Sequence, residues 1–312
     1  MNSLLTAANA VLPITAMMAL GFLTKRIGAV KDSSYKDFNW VVFHYCLPLT
    51  LFQNVLNADF SKITDMRIFL FAVGGLLLLI LLSMAFLKNS SMPDKRKGVV
   101  VQALYRTNFA ILGLPIVESV YGAGNTAFTS VMIAVCLPFF NIAAVLVLQH
   151  YSGTKSNLLG TVKKVLRNPM VVCAIAGVIV KMLGIPVKGL PADIISMITK
   201  LTTPLSLFVL GGSIHEDEVK NNSRILAFVT VMRLVVIPLA AITLGALIGW
   251  RGVELLTLLV LFGGPVAVSS YPMAAQMGLD GELAAQCILV STVFVMLSMF
   301  AFITGLSMLG LL

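Results

Sequence analysis

The chain has 312 residues, of which 58% are hydrophobic and only 11% charged, against roughly 45–50% and about 25% in soluble proteins. So few charges cannot clothe a water-facing surface, which excludes disordered, fibrous and coiled-coil classes as well as an ordinary cytosolic domain, and makes lipid the solvent for most of the chain. The net charge of +9 does not point to nucleic acid, because the cations fall in short loops between apolar runs, where they follow membrane topology rather than a phosphate-binding face.

Ten apolar runs follow one another along the chain: 4–24, 37–56, 66–87, 98–121, 124–149, 168–184, 192–213, 224–248, 253–278 and 280–311. Each approaches the about 20 residues that a helix needs to cross a bilayer. Residues 1–24 carry no charge, and Lys25 and Arg26 come after the first run. A secretory signal opens on cations instead, so this run reads as a first transmembrane helix. Cys46, Cys136, Cys173 and Cys287 each stand alone in an apolar stretch, a pattern that supports neither a metal site nor a disulfide framework. The loops after runs one, three, five and seven hold fourteen Lys and Arg, and those after two, six and eight hold five. The positive-inside rule then predicts a multi-pass protein of the plasma (inner) membrane with both termini outside the cytoplasm.

A shift of 156 residues lays the first run on the sixth without a gap: Pro13 on Pro169, Gly21 on Gly177, Lys25 on Lys181, Gly28 on Gly184. At the same shift Pro48-Leu49-Thr50-Leu51-Phe52 meets Pro204-Leu205-Ser206-Leu207-Phe208. At a shift of 150, Gly113, Pro115, Ser119 and Tyr121 meet Gly263, Pro265, Ser269 and Tyr271. A repeat of five helices is odd-numbered, so the second copy must enter the bilayer from the opposite side. The sequence therefore predicts an all-α membrane protein of ten transmembrane helices, built as two inverted five-helix repeats over 1–150 and 151–312. Inverted repeats of this kind are how many secondary transporters are made.

Helices 4 and 9 carry the strongest local signal. Helix 4 reads Arg106-Thr107-Asn108-Phe109-Ala110-Ile111-Leu112-Gly113-Leu114-Pro115, and helix 9 reads Phe262-Gly263-Gly264-Pro265-Val266-Ala267-Val268-Ser269-Ser270-Tyr271-Pro272. Proline lacks an amide hydrogen and adjacent glycine tolerates irregular backbone. The sequence thus predicts breaks at Gly113–Pro115 and Gly264–Pro265, near the middle of each span. Irregular backbone at that depth must be buried in protein or line a cavity, and a broken helix presents free amides that suit an anion.

The run from Asn108 through Gly113 and Pro115 to Tyr121-Gly122, with Pro265, Tyr271-Pro272-Met273-Ala274, Gly278, Asp280 and Ser291-Thr292, resembles the auxin efflux carrier family, in particular its bacterial malate/malonate permease-like members. The resemblance spans nearly the whole chain, although the plant carriers' second proline in helix 9 is Ser270 here. It implies a sodium/proton-antiporter-like fold, shared with bile-acid symporters, in which broken helices 4 and 9 cross. It also implies a scaffold of helices 1, 2, 6 and 7 (about 4–56 and 168–213) and a core of helices 3–5 and 8–10 (about 66–149 and 224–311). The implied substrate is an organic-acid anion of the malate or malonate type, bound near the crossing.

Ionisable residues inside spans are costly and mark functional candidates. Arg106 lies nine residues beyond Lys97, about 13 Å along a helix, and its planar fork suits a carboxylate; snorkelling to the surface is the alternative. Asn108 offers hydrogen bonds to a substrate carboxylate. Gly113, Pro115, Gly264, Pro265, Ser269, Ser270 and Tyr271 belong to the breaks, and Gln53 and Asn54 either face the substrate from the scaffold or mark the water interface. Glu118 and His44 are candidates for proton coupling, against readings as a solvated end residue and a structural histidine. Arg233 pairs within the core or snorkels. Sodium would need a cage of oxygens drawn from Glu118, Gln276, Gln286, Ser291 and Thr292, yet residues 263–278 hold no carboxylate, so a proton or the membrane potential is favoured over sodium. No GxxxxGK[ST], HExxH or GxSxG motif is present, so neither enzyme, metal nor cofactor is predicted. The expected partners are the anion and the bilayer, with a homodimer left open. The alternatives are a sodium-coupled organic-anion symporter and a non-transporting membrane sensor on the same fold.

Overall fold

The computed structural model describes residues 2–57, 65–122, 125–153, 167–214 and 221–312, with side chains described from Leu12 onward. All regular structure among these residues is helical, as lipid requires of segments that must satisfy every backbone polar group internally. In chain order the helices are α1 (Asn2–Arg26), α2 (Asp32–Val41), α3 (Leu47–Asn57), α4 (Met66–Lys88), α5 (Asp94–Tyr105), α6 (Phe109–Tyr121) and α7 (Ala127–Tyr151). They continue with α8 (Pro169–Met182), α9 (Leu190–Gly212), α10 (Ser223–Val231), α11 (Ile237–Ile248), α12 (Gly252–Gly263), α13 (Ser270–Gln276) and α14 (Gly281–Met308).

Among the described residues, five helical stretches are long and apolar enough to cross a membrane: Met66–Lys88, Ala127–Tyr151, Leu190–Gly212, Ser223–Ile248 and Gly281–Met308. Helix α4 shows what lipid does to the usual amphipathic rule. It buries Ile68, Ala72, Leu76 and Ile80 against the protein while exposing Leu70, Leu77, Leu78, Leu81, Leu82 and Phe86. Both faces are apolar because both meet an apolar phase. The protein is an integral membrane protein.

Two prolines leave the same mark. Pro48 and Pro238 lack the amide that would bond four residues back, and their rings press on that carbonyl. In each case the preceding turn is widened into one turn of π-helix, Val42–Cys46 before Pro48 and Met232–Val236 before Pro238. The helical direction is kept, so α2 runs on into α3 and α10 into α11.

Helix α1 packs on α9 and helix α8 packs on α3, each through a glycine. A Cβ on Gly21 would stand 1.9 Å from the Phe208 carbonyl oxygen, and one on Gly177 would stand 3.2 Å from that of Phe52. The backbones approach this closely because no side chain intervenes. Tyr35, at the start of α2, closes the same corner by donating its hydroxyl to the Gly21 carbonyl at 2.9 Å.

Candidate functional site

The fourth and ninth apolar runs are both interrupted. Helix α5 ends at Tyr105 and α6 begins at Phe109, while α12 ends at Gly263 and α13 begins at Ser270. The ninth run breaks where its Gly-Pro pair predicts. The fourth does not: Gly113 and Pro115 lie inside α6, and the interruption falls at Arg106–Asn108. One missing amide is tolerated in a helix, and Gly113 serves packing, since a Cβ there would stand 3.0 Å from the Phe109 ring.

The break at 106–108 is fixed by pairing with the other broken segment. Thr107 and Val266 form an antiparallel bridge. The Asn108 amide donates to the Pro265 carbonyl at 2.8 Å, and the Ala267 amide to the Arg106 carbonyl at 3.2 Å. Ser291 on α14 accepts from the Val266 amide at 3.0 Å. Gly264 permits the approach, because a Cβ there would stand 2.4 Å from Thr107 Oγ1. The two interrupted segments therefore cross and hydrogen-bond through their irregular backbones.

Four helix ends converge on this crossing. The C-terminal ends of α5 and α12 leave carbonyls without intrahelical partners and carry the negative pole of the helix dipole. Arg233, fully buried, caps both: Nε donates to the Gly264 carbonyl at 2.9 Å and Nη1 to the Leu104 carbonyl at 2.8 Å. The N-terminal ends of α6 and α13 carry the positive pole. They lie beside Arg106, which is 3% exposed. Arg106 Nη2 donates to Asn141 Oδ1 at 2.6 Å and Ser269 Oγ at 2.8 Å, and Nη1 to the Met273 sulfur. Every one of these partners is neutral, and no carboxylate among the described residues pairs with this guanidinium.

Beside Arg106 lies a cavity of about 120 Å³. Its lining joins both interruptions (Thr107, Asn108, Ala267, Ser269) to Thr50 and Asn54 of α3, Thr202 and Ser206 of α9, and Asn141 of α7. Arg106 is the one ionisable group among the lining residues. The Thr107 and Ser206 hydroxyls are buried there with no partner among the described residues, whereas Thr50 and Thr202 hydrogen-bond each other at 2.8 Å. The volume is well below the roughly 300–1,000 Å³ of a drug-sized pocket, so the cavity suits a ligand of a few heavy atoms. Its polar groups are one cation, three amides and several hydroxyls, a set that can bind a small anion and fix its orientation.

Of the residues singled out in the sequence, Arg106, Asn108, Ser269 and Asn54 meet in this cavity. Gly264 and Pro265 shape the crossing behind it, through the contacts given above. Gly113 and Pro115 sit further along α6. Ser270 is buried with its hydroxyl unpartnered among the described residues, and Gln53 accepts from Thr199 at 2.7 Å. Tyr271 hydrogen-bonds Ser213 and borders a second cavity of about 590 Å³ with Lys25, Lys36 and Glu282. Glu118 is exposed near the far end of α6. His44 stacks on Trp40 at 4.3 Å between ring centroids, with Nδ1 at 3.0 Å from the Trp40 carbonyl. Sequence reasoning passed over Thr50, Thr107, Asn141, Thr202 and Ser206. Thr50 and Ser206 stood in the repeated Pro-Leu-Thr/Ser-Leu-Phe motif, and Asn141 was an amide in the middle of an apolar run, three residues after Pro138, a legible polar intrusion.

A family described as "Membrane transport protein" matches residues 6–303. An "Uncharacterized transporter" of Methanothermobacter thermautotrophicus is 23% identical over 296 residues, covering 94% of this chain and 96% of that protein. The "Uncharacterized transporter YfdV" of Escherichia coli K12 is 22% identical over 273 residues, covering 85% and 86%. A "Putative malonate transporter" of Rhizobium meliloti is 22% identical over 296 residues, covering 90% of each.

Proposed function

Since this chain belongs to the membrane transport protein family of auxin efflux carrier-like proteins, and is a membrane transporter rather than an enzyme, we propose that it is a secondary transporter of a small carboxylate of the malonate or malate type. The observation that carries the substrate class is Arg106: a buried guanidinium with only neutral partners, facing a small polar cavity. A buried charge without a counter-charge is costly, and a substrate carboxylate would supply one. The positive end of α6 opens on the same cavity and offers a second carboxylate its amides. Arg233 offsets the negative ends of α5 and α12, which would otherwise repel the anion. The malonate named for the Rhizobium relative fits this pair of subsites.

Transport proceeds by alternating access between two inverted five-helix halves. Two observations support the inversion. The contacts Gly21–Phe208 and Gly177–Phe52 become each other under the 156-residue shift, with the halves exchanged. The Thr202 hydroxyl donates to the Cys46 carbonyl at 3.2 Å, and these two positions are themselves 156 apart, as expected beside a pseudo-two-fold axis. On this reading helices α1–α3, α8 and α9 form the scaffold, the others form the moving core, and both termini face outward from the cell membrane. The driving force is the membrane potential or a proton. A sodium cage is disfavoured by placement: Ser291 is engaged with Val266, Gln286 accepts from Asn222 at 2.8 Å, and Glu118 is exposed away from the crossing.

The test is uptake of labelled malonate into proteoliposomes, with and without a sodium gradient. Asn108→Ala should abolish uptake while leaving expression and helical content intact, and sodium should have no effect. Uptake by this variant at an unchanged half-saturating concentration would place the anion elsewhere.

A further inference from the structure

Asn141 reaches the crossing from α7, a helix that takes no part in the breaks. Its amide is anchored at both ends: Nδ2 donates to the Leu137 carbonyl at 3.0 Å, and Oδ1 accepts from Arg106 Nη2 at 2.6 Å. These partners settle which way the amide faces, since the reverse orientation would aim its donors at a guanidinium that has only donors. The orientation of Arg106 is thus set from outside its own segment, by an acceptor that carries no charge.

The choice of amide has a consequence for the charge of the site. An aspartate has the same shape and would make a stronger, charge-assisted bond to the same nitrogen. It would also neutralise Arg106, the one ionisable group in the cavity lining, and would repel any carboxylate placed beside it. We propose that Asn141 is a positioning residue that fixes the sign of charge the cavity accepts: it aims Arg106 at the substrate and leaves the positive charge uncancelled. The inference rests on the anion reading above and adds to it a residue on a third element.

Three proteins separate this from a packing role: the wild type, Asn141→Asp and Asn141→Leu, purified and assayed for malonate uptake and for thermal stability with and without malonate. The expected result is that Asn141→Asp raises the half-saturating malonate concentration at least ten-fold and loses malonate-induced stabilisation, while its ligand-free melting temperature equals or exceeds that of the wild type. Asn141→Leu should lower the ligand-free melting temperature, because Arg106 loses an acceptor. If Asn141 merely packs, Asn141→Asp will transport malonate with unchanged affinity and only Asn141→Leu will be impaired; that result overturns the inference. A wild type that neither transports malonate nor is stabilised by any mono- or dicarboxylate overturns the anion reading itself, which keeps the two failures distinct.

Discussion

Two guanidiniums are buried in this molecule, and their surroundings assign them opposite tasks. Arg233 gives Nε and Nη1 to carbonyls at two helix ends, with Nη2 buried and unpartnered among the described residues; Arg106 meets an amide, a hydroxyl and a thioether and still faces a cavity. Removing a partner from a buried carbonyl costs about 1–3 kcal/mol, so Arg233→Gln should lower the melting temperature markedly and reduce uptake at every malonate concentration. Arg106→Gln should instead leave the melting temperature of the ligand-free protein unchanged or higher, because an uncompensated charge is removed, while abolishing stabilisation by malonate. Thermal unfolding of both variants with and without malonate checks the contrast, and equal destabilisation by the two would contradict it. At this scale the sequence was partly legible. A charge or amide deep in an apolar run is conspicuous, which is why Arg106 and Asn108 stood out, whereas Ser269 was marked by the Gly-Pro break before it and Asn54 by its place near the end of its run. Hydroxyls such as Thr50 and Ser206 are common inside membrane helices, where they bond their own backbone, so only the folded arrangement distinguishes the ones that face a cavity.

At the scale of elements, a proline marks a weak point in a helix, but the packing around it decides whether the helix bends, widens or stops. Four prolines illustrate this. Pro48 and Pro238 widen one turn, Pro115 is absorbed within α6, and Pro265 stands in a true interruption. The break in the fourth run falls away from its own Gly-Pro pair for this reason: it is dictated by pairing with residues 265–267, far away in sequence. Pro115→Ala should therefore restore a backbone hydrogen bond and leave stability equal or higher, with uptake retained, as read by thermal unfolding and flux. Gly264→Ala should do the reverse, since its Cβ would collide with Thr107 Oγ1 and with the Val260 carbonyl at 2.8 Å. The glycine contacts between helices predict a further asymmetry. Gly21→Ala forces two backbones apart and should lose about 1–3 kcal/mol, whereas Gly177→Ala, at 3.2 Å, should lose little; comparing their melting temperatures tests it.

Across the whole molecule, composition and loop charge already identify a membrane protein, and the family match over residues 6–303 makes it a transporter. What the sequence withheld was how the two sets of segments interlock, because exchange of partners between α1–α9 and α8–α3 involves helices more than 100 residues apart. The same arrangement leaves a small cavity at the crossing and a larger one bordered by Lys25 and Lys36, with Tyr271 on the wall of the second and Ser269 on that of the first. The hydrogen bond between Ser213, at the end of α9, and Tyr271 of α13 ties the proposed scaffold to the proposed core between them. If the core moves as proposed, this bond must break, so Tyr271→Phe should speed turnover or shift the balance of conformations, read as altered maximal uptake rate with little change in malonate affinity.

The location of the anion is the claim on which transport, charge selectivity and the role of each arginine all depend. It is tested most directly by determining the structure with bromomalonate and locating bromine by anomalous scattering. A single strong peak is expected beside Arg106 and the first turn of α6, lost in Arg106→Gln. A peak among Lys25, Lys36 and Glu282, with the crossing bare, would contradict this placement.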